Sequence, residues 1–378
     1  MADKSREGDR EQDQGESDDL AERMEWFLAS RRDTKGELLR RIFYEGSRQR
    51  HRIEFRPKGD VEPPQPPGPP GAVNWTPLGP TVVAHGQATG NPPVSGRITS
   101  IVAGPSGSRA YAGAANGGVW FTSGGGTTWA PLDDYSVSPS LITGSTEADS
   151  LAVGAIAVRF GATAATDLVY VGTGEANLNA DAYFGVGIKR SDSGGAPGTW
   201  TLEATNLAGL GIYKIVIDPD DPTRVFAATT AGLFQRPAAT PFTNWTQVTS
   251  VFSTPNGRVM DLVVAGTGAT KAYYCVFRGD KAYTSTDGAA WTALTGLPPG
   301  PPPAPGKADL RRVALAVAES SPTIAYAFKY DGTLYRLVGT AFQGVAGLPP
   351  MFTFGGQGWY DIAIAVDPAN ANTVYLRR

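Results

Sequence analysis

Residues 96–132 read GRITSIVAGPSGSRAYAGAANGGVWFTSGGGTTWAPL. They divide into four short runs: GRITSIVAGPSG (96–107) leads into a turn, RAYAGAANGG (109–118) returns, VWFTSGGG (119–126) goes out again, and TTWAPL (127–132) comes back. Small and β-branched residues fill the runs, while Gly, Ser and Asn fill the breaks between them, which is the pattern of strands joined by tight turns. The stretch therefore predicts one four-stranded antiparallel sheet of about 37 residues.

The same order recurs along the chain. VGAIAVRFGA, DLVYVGTGE, VGIKRSDSGG and TWTLEA follow one another between 153 and 204, and a third copy ends in NWTQVT at 249. The fourth runs from GRVMDLVVAG at 257 to AWTAL at 294. A fifth, from RRVALAVAES at 311 to about 346, lacks a closing Trp, and a sixth stops after two strands in WYDIAIAVDPANANTVYL (359–376). First strands start about 46 to 59 residues apart, the spacing of four-stranded propeller blades once loops are inserted. The fold class expected is all-β, a β-propeller of four-stranded antiparallel blades over 73–378, with five full blades and a split or incomplete sixth. NWTPLGP at 74–80 reads as an outermost strand without its partners, able to share a blade with the last two strands. A seven-bladed ring truncated at its C-terminal end is the reading that goes with YLRR at 375–378.

Composition agrees with a large β protein. Of 378 residues, 41% are hydrophobic and 18% charged, with 47 Gly and 30 Pro and no collagen period. A net charge of −3 supplies no global basic field for nucleic acid, and no apolar run is long enough for a membrane span. One cysteine, Cys275, and two histidines, His51 and His85, leave no disulfide framework and no metal site to expect. GTGEAN at 172–177 is no dinucleotide fingerprint, because it leads into a loop and a strand, so no cofactor is expected. No cleavable signal peptide is visible, and the compartment stays undecided.

The first 60 residues obey different rules, with 14 Lys/Arg and 15 Asp/Glu. Residues 1–22, nine acids against three bases, read as a disordered acidic tail. Residues 23–60 read as a short helical charged region: Thr34 and Glu37 form a capping box ahead of Leu38, Leu39, Ile42 and Phe43. Eleven bases against five acids in 23–58 suit either docking on an acidic partner or a solvated helix packed on the main domain. Residues 61–72, with VEPPQPPGPPG, read as a stiff Pro-rich linker.

Two further stretches, TSGGGTTW (122–129) and TSTDGAAW (284–291), share a Ser, a Gly-rich turn and a Trp. A Ser or Asp side chain can bond the turn backbone, Gly permits positive φ, and Trp can wedge between blades, so the motif reads as a structural staple. The pattern resembles the Asp-box, or BNR repeat, of the sialidase superfamily. YVGTGEANLNADAYFGVGIKRSDSGG resembles the second blade of bacterial sialidase-like, or glycosyl hydrolase, BNR-repeat proteins, and the likeness covers roughly 74–376. It assigns box positions to Ser123 and Trp129, Ser191 and Trp200, and Ser285, Asp287 and Trp291. Gly124 and Ser193 stand where the box has Asp, and the second box carries an APG insertion. An exported or cell-surface bacterial protein is what the resemblance implies.

Alternation of strand direction puts the starts of the first strands and the second-to-third-strand loops on the rim opposite the boxes. That face collects Arg97, Arg258 and Arg312 near the axis, able to clamp a carboxylate, with Tyr330 and Tyr360 as further ligand-binding groups. It also receives Glu175, Asp181 and Tyr183 from the loop at 174–187, and Asp361. The sialidase resemblance implies catalytic roles for Glu175, Asp181, Tyr183 and Asp361: a Tyr nucleophile activated by Glu, and an acid. The same residues can instead cap strand ends and brace blades. The expected function is recognition of a glycan or protein ligand on this face, with a sialidase-like glycosidase acting on acidic sugars as the alternative.

Overall fold

The computed structural model describes residues 96–132, 150–176, 182–250, 252–303, 311–348 and 358–377. The expectations for 1–22, 23–60, 61–72 and 74–80 lie outside the described residues. Five sheets have four antiparallel strands each, paired in chain order. Blade one is β1 (Ile98–Ala103), β2 (Ala110–Ala114), β3 (Val119–Thr122) and β4 (Ala130–Pro131). Blade two is β5 (Val153–Arg159), β6 (Leu168–Gly174), β7 (Phe184–Ser191) and β8 (Thr201–Glu203). Blade three is β9 (Ile212–Ile217), β10 (Val225–Thr229), β11 (Gly232–Gln235) and β12 (Thr246–Gln247). Blade four is β13 (Val259–Ala265), β14 (Ala272–Phe277), β15 (Ala282–Ser285) and β16 (Thr292–Ala293). Blade five is β17 (Val313–Ala318), β18 (Ser321–Lys329), β19 (Leu334–Val338) and β20 (Ala341–Gly344), and a two-stranded sheet, β21 (Ala363–Val366) with β22 (Val374–Arg377), follows. The blades are those the sequence repeat marks out.

First strands of consecutive blades lie side by side, from β1 through β5, β9, β13 and β17 to β21, so the blades are arranged as in a propeller. Second strands are buried along their whole length in β2, β10 and β14, and β10 and β14 have a neighbouring blade on each side. A separate apolar cluster fills each of the five interfaces between consecutive sheets. In four first strands the pairing slips by one residue near the start: between Ile98 and Ser100, Val153 and Ala155, Ile212 and Lys214, and Val259 and Asp261. The residue after the slip is re-aimed, as β-bulges do. Ser100 Oγ accepts the Ile156 amide at 3.1 Å and Asp261 Oδ2 accepts the Leu315 amide at 2.7 Å, each tying its blade to the next.

The third-to-fourth-strand turns are capped from within. Ser191 Oγ accepts the amides of Ser193 (3.2 Å) and Gly195 (3.0 Å). Ser285 Oγ accepts those of Asp287 (3.3 Å) and Gly288 (2.8 Å) and donates to Asp287 Oδ1, which accepts the Ala289 and Ala290 amides at 2.8 and 2.9 Å. In blade one the expectation of Ser123 needs correcting by one residue. Thr122 Oγ1 accepts the Gly124 and Gly126 amides at 3.2 Å, whereas Ser123 is exposed. The capping residue must be the last of the third strand, where its side chain points into the turn, and Thr122 holds that place. Trp200 and Trp291 are buried as expected of a wedge, but Trp129 is only half-buried. Ser285→Ala should cost about 1–2 kcal/mol, since a buried hydroxyl holding two turn amides is lost, and a urea titration will read it.

Candidate functional site

The rim that carries the capped turns is held by buried ions. Asp167 accepts from Arg109 Nη1 at 2.7 Å and from the Tyr111 hydroxyl at 3.0 Å, joining blades one and two. Asp218 of blade three accepts from Lys271 Nζ at 3.0 Å and from the Tyr273 hydroxyl of blade four. Burial and the Asp167 carboxylate push the Tyr111 phenol above its ordinary range, and burial with Asp218 does the same to Tyr273. Arg109 with Tyr111 and Lys271 with Tyr273 occupy the same two places at the start of a second strand. This rim is therefore braced rather than open for chemistry.

The opposite face is different. Gly174 takes a φ of +87°, which turns the chain out of β6 and delivers Glu175 toward blade three, where it bridges to Ile212. Glu175 is buried, with a side chain 1% exposed, and Arg97 Nη2 donates to its Oε2 at 2.6 Å. One residue thus links three blades, its backbone reaching blade three and its carboxylate blade one. The Glu175 amide donates to the Tyr183 carbonyl at 2.9 Å, and the Tyr183 side chain is 48% exposed. Asp181 lies outside the described residues.

Arg312, just before β17, is the point where the blades converge. Its Nη1 donates to the Tyr360 carbonyl at 2.8 Å. Burial holds its guanidinium below the ordinary arginine range, and the charges of Tyr213, Asp261, Asp361 and Glu175 oppose that shift. Those four groups come from blades three, four, six and two. Asp261 is likewise enclosed: burial raises its carboxyl above the usual carboxylate range, against Lys214, the Leu315 and Leu262 amides and Arg312. Both residues are half-buried. Arg278 donates to the Tyr213 hydroxyl at 3.3 Å within the same group.

Of the three arginines expected to form a clamp, Arg97 and Arg312 are engaged by protein groups. Arg258, half-buried, gives its carbonyl to the Arg278 amide, and its guanidinium has no hydrogen-bond or ion-pair partner among the described residues. Tyr330 donates its amide to the Arg312 carbonyl, and the Tyr360 ring lies 4.5 Å from that of Trp359. Asp361 is placed with Arg312 by its field. Asp261, Tyr213 and Lys214 are site residues that sequence reading missed. The signal was there: a charged residue inside the apolar runs VMDLVVA and IYKIVI has no place in a strand buried on both faces unless it points at the axis. Among the described residues no group of His, Cys, Asp and Glu could hold a metal, and no helix is long and apolar enough to cross a membrane.

No family model matches the chain, and no curated protein matches it. Among solved structures it is similar to an ancestral enzyme of glycoside hydrolase family GH74, at 19% identity and a TM-score of 0.52 over 81% of this chain. The match takes in 36% of that enzyme, so the chain spans about a third of its length. The GH74 xyloglucanase of Xanthomonas campestris (16% identity, TM-score 0.44, 74% of this chain and 50% of that one) lies further off. So does YCF48 bound to D1 peptide (14% identity, TM-score 0.39, 66% of each chain). The first of these likenesses shows the fold, a propeller also used by glycoside hydrolases, and nothing finer.

Proposed function

We propose that this chain is a ligand-recognition propeller that binds a glycan or protein ligand around Arg258 and Arg312, on the face opposite the capped turns. The observation that carries the reading is Arg258, which immediately precedes the strand carrying Asp261 and whose guanidinium has no hydrogen-bond or ion-pair partner among the described residues, where groups from five blades gather around Arg312. An arginine fork held in a partly desolvated setting suits a carboxylate or sulfate on the ligand. Tyr183, 48% exposed, offers a further aromatic surface on this face. The Ser- and Asp-capped turns support kinship with Asp-box propellers, and an exported or cell-surface place goes with that kinship. Arg258→Ala should weaken binding to acidic glycans on an array of sialylated and uronic-acid sugars by tenfold or more, while Arg159→Ala, on the other rim, leaves it unchanged. Equal binding by both variants would remove the face from consideration.

The second reading is a glycosidase, for which the raised carboxyl of Asp261 is the supporting observation, since a general acid needs a pKa above the carboxylate range. Asp261→Asn would then abolish turnover of a bound glycan and spare its binding. The amide bonds from Leu262 and Leu315 give Asp261 a structural task as well, which favours recognition as the first reading.

A further inference from the structure

We propose that Lys214 and Asp261 form a subsite that reads neighbouring hydroxyls, which makes the ligand of this face a sugar rather than a peptide; the proposal rests on the recognition reading above. In four first strands the residue after the pairing slip occupies one equivalent place: Ser100, Ala155, Lys214 and Asp261. Two of the four are charged, with opposite signs, and they come from consecutive blades. Ser100 and Asp261 each use their place to accept an amide of the next blade, that of Ile156 and that of Leu315. Lys214 cannot do this, because an ammonium has donors and no acceptor. The blade-four amide at that level belongs to Leu262, which follows Asp261 as Ile156 follows Ala155, and Oδ1 of Asp261 itself accepts it at 2.8 Å. A lysine in this place therefore makes no bond that ties its blade to the next.

What Lys214 can do instead follows from its neighbour. It is half-buried, and its ammonium has no hydrogen-bond or ion-pair partner among the described residues. Its charge nevertheless acts on Asp261, drawing that carboxyl down against the effect of burial, so the two groups stand near each other without pairing. Asp261 has given one lone pair on each oxygen to an amide, Leu262 on Oδ1 and Leu315 on Oδ2, and keeps another on each. A donor-only group beside an acceptor group is satisfied by hydroxyls, which accept from the first and donate to the second. A carboxylate of an acidic peptide in the same place would gain from Lys214 and be repelled by Asp261. Arg258 lies on the same side of β13 as Asp261. Its carbonyl takes the Arg278 amide and Asp261 stands opposite Val276, two places along the partner strand, because the slip absorbs one residue between them. A sugar carboxylate on Arg258 and ring hydroxyls on Lys214 and Asp261 are thus served from adjacent places.

The test uses the full chain and one probe in three forms: a trimer of galacturonic acid, its methyl ester, which has lost the carboxylate charge, and its acetylated form, in which the ring hydroxyls are blocked. In titration calorimetry the parent should bind the free trimer about tenfold more tightly than the acetylated one, and Lys214→Met should bind the two within about twofold of each other. Lys214→Arg, which keeps a charged donor, should retain most of the preference. Arg258→Ala should instead level the free trimer with its methyl ester and still prefer free hydroxyls to acetylated ones. A parent that tells acid from ester but ignores acetylation overturns the subsite and leaves the Arg258 reading standing. So does a Lys214→Met variant with the parent's preference, since the lysine then meets only solvent. A parent that binds the free trimer and its ester alike removes the Arg258 reading, and one that binds no form of the trimer overturns both. Should Lys214→Met not fold, Lys214→Gln is read in its place.

Discussion

Asp218→Ala should be among the most damaging single changes in this molecule, costing roughly 3 kcal/mol, with urea denaturation as the readout. The carboxylate is fully buried and gathers the amides of Asp220 (2.8 Å) and Asp221 (3.2 Å), the Lys271 ammonium and the Tyr273 hydroxyl. Removing it leaves Lys271, with a side chain 10% exposed, facing Asp220 alone at 2.9 Å. Among the described residues two blades then keep on this rim only the weaker ties through Asp220 and from Arg224 to the Asp287 carbonyl. Burial on its own would raise the Asp218 pKa, but the bonds from Tyr273, Lys271 and the two amides outweigh it and bring the carboxyl below its ordinary value. The sign follows from linkage: the stabilisation is complete above the unfolded value near 3.9 and is lost as pH falls through the lower folded value. Lys271 works at the other end of the scale. Burial would lower its pKa, yet Asp220 and Asp218 raise it, so its contribution is complete below about 10.4 and is lost only as pH rises past that. Asp218→Asn should therefore flatten the acid limb of the stability profile and leave the neutral plateau lower. An acid limb identical to that of the parent would show that this carboxylate does not hold the rim.

Trp291→Ala should cost about 3–5 kcal/mol, the range for emptying a large aromatic from a packed interior. The indole is 3% exposed, its ring centroid lies 5.8 Å from that of Phe252 and 6.3 Å from that of Tyr273, and its Nε1 donates to the Gly288 carbonyl at 2.9 Å. It belongs to a cluster shared by blades three and four, so the cavity would open between blades and not within one. Trp129→Ala should cost markedly less, because that side chain is half-buried. Equal losses in the two variants, measured by chemical denaturation, would mean that burial between blades is not what makes the indole matter.

The repeat itself was legible without coordinates. Strands such as β10, with VFAAT buried at every position, can persist only between two neighbours, and a chain that repeats such strands with turns at regular intervals has few ways to bury them all. The turn chemistry was legible as well, since Ser285 and Asp287 bond residues within five positions of themselves. One slip shows the limit of that reading. Choosing between Thr122 and Ser123 needs the direction of the last side chain of β3, and two adjacent hydroxyl residues look alike in a sequence.

The candidate site divides in the same way. Arginines at the starts of first strands could be assigned to one face from strand alternation alone. Which of them is engaged could not, because Arg97 finds Glu175 across 78 positions of chain and Arg312 reaches the Tyr360 carbonyl across 48. The bulges that turn Asp261 and Ser100 toward the next blade are likewise set by pairing with a neighbouring strand. The sequence by itself determined the blades, their order and the capped turns, since these rest on periodicity and on bonds between near neighbours in the chain. Only the tertiary structure decided which charges meet at Arg312 and which guanidinium stays open, since ion pairing depends on distances between blades that no local pattern encodes.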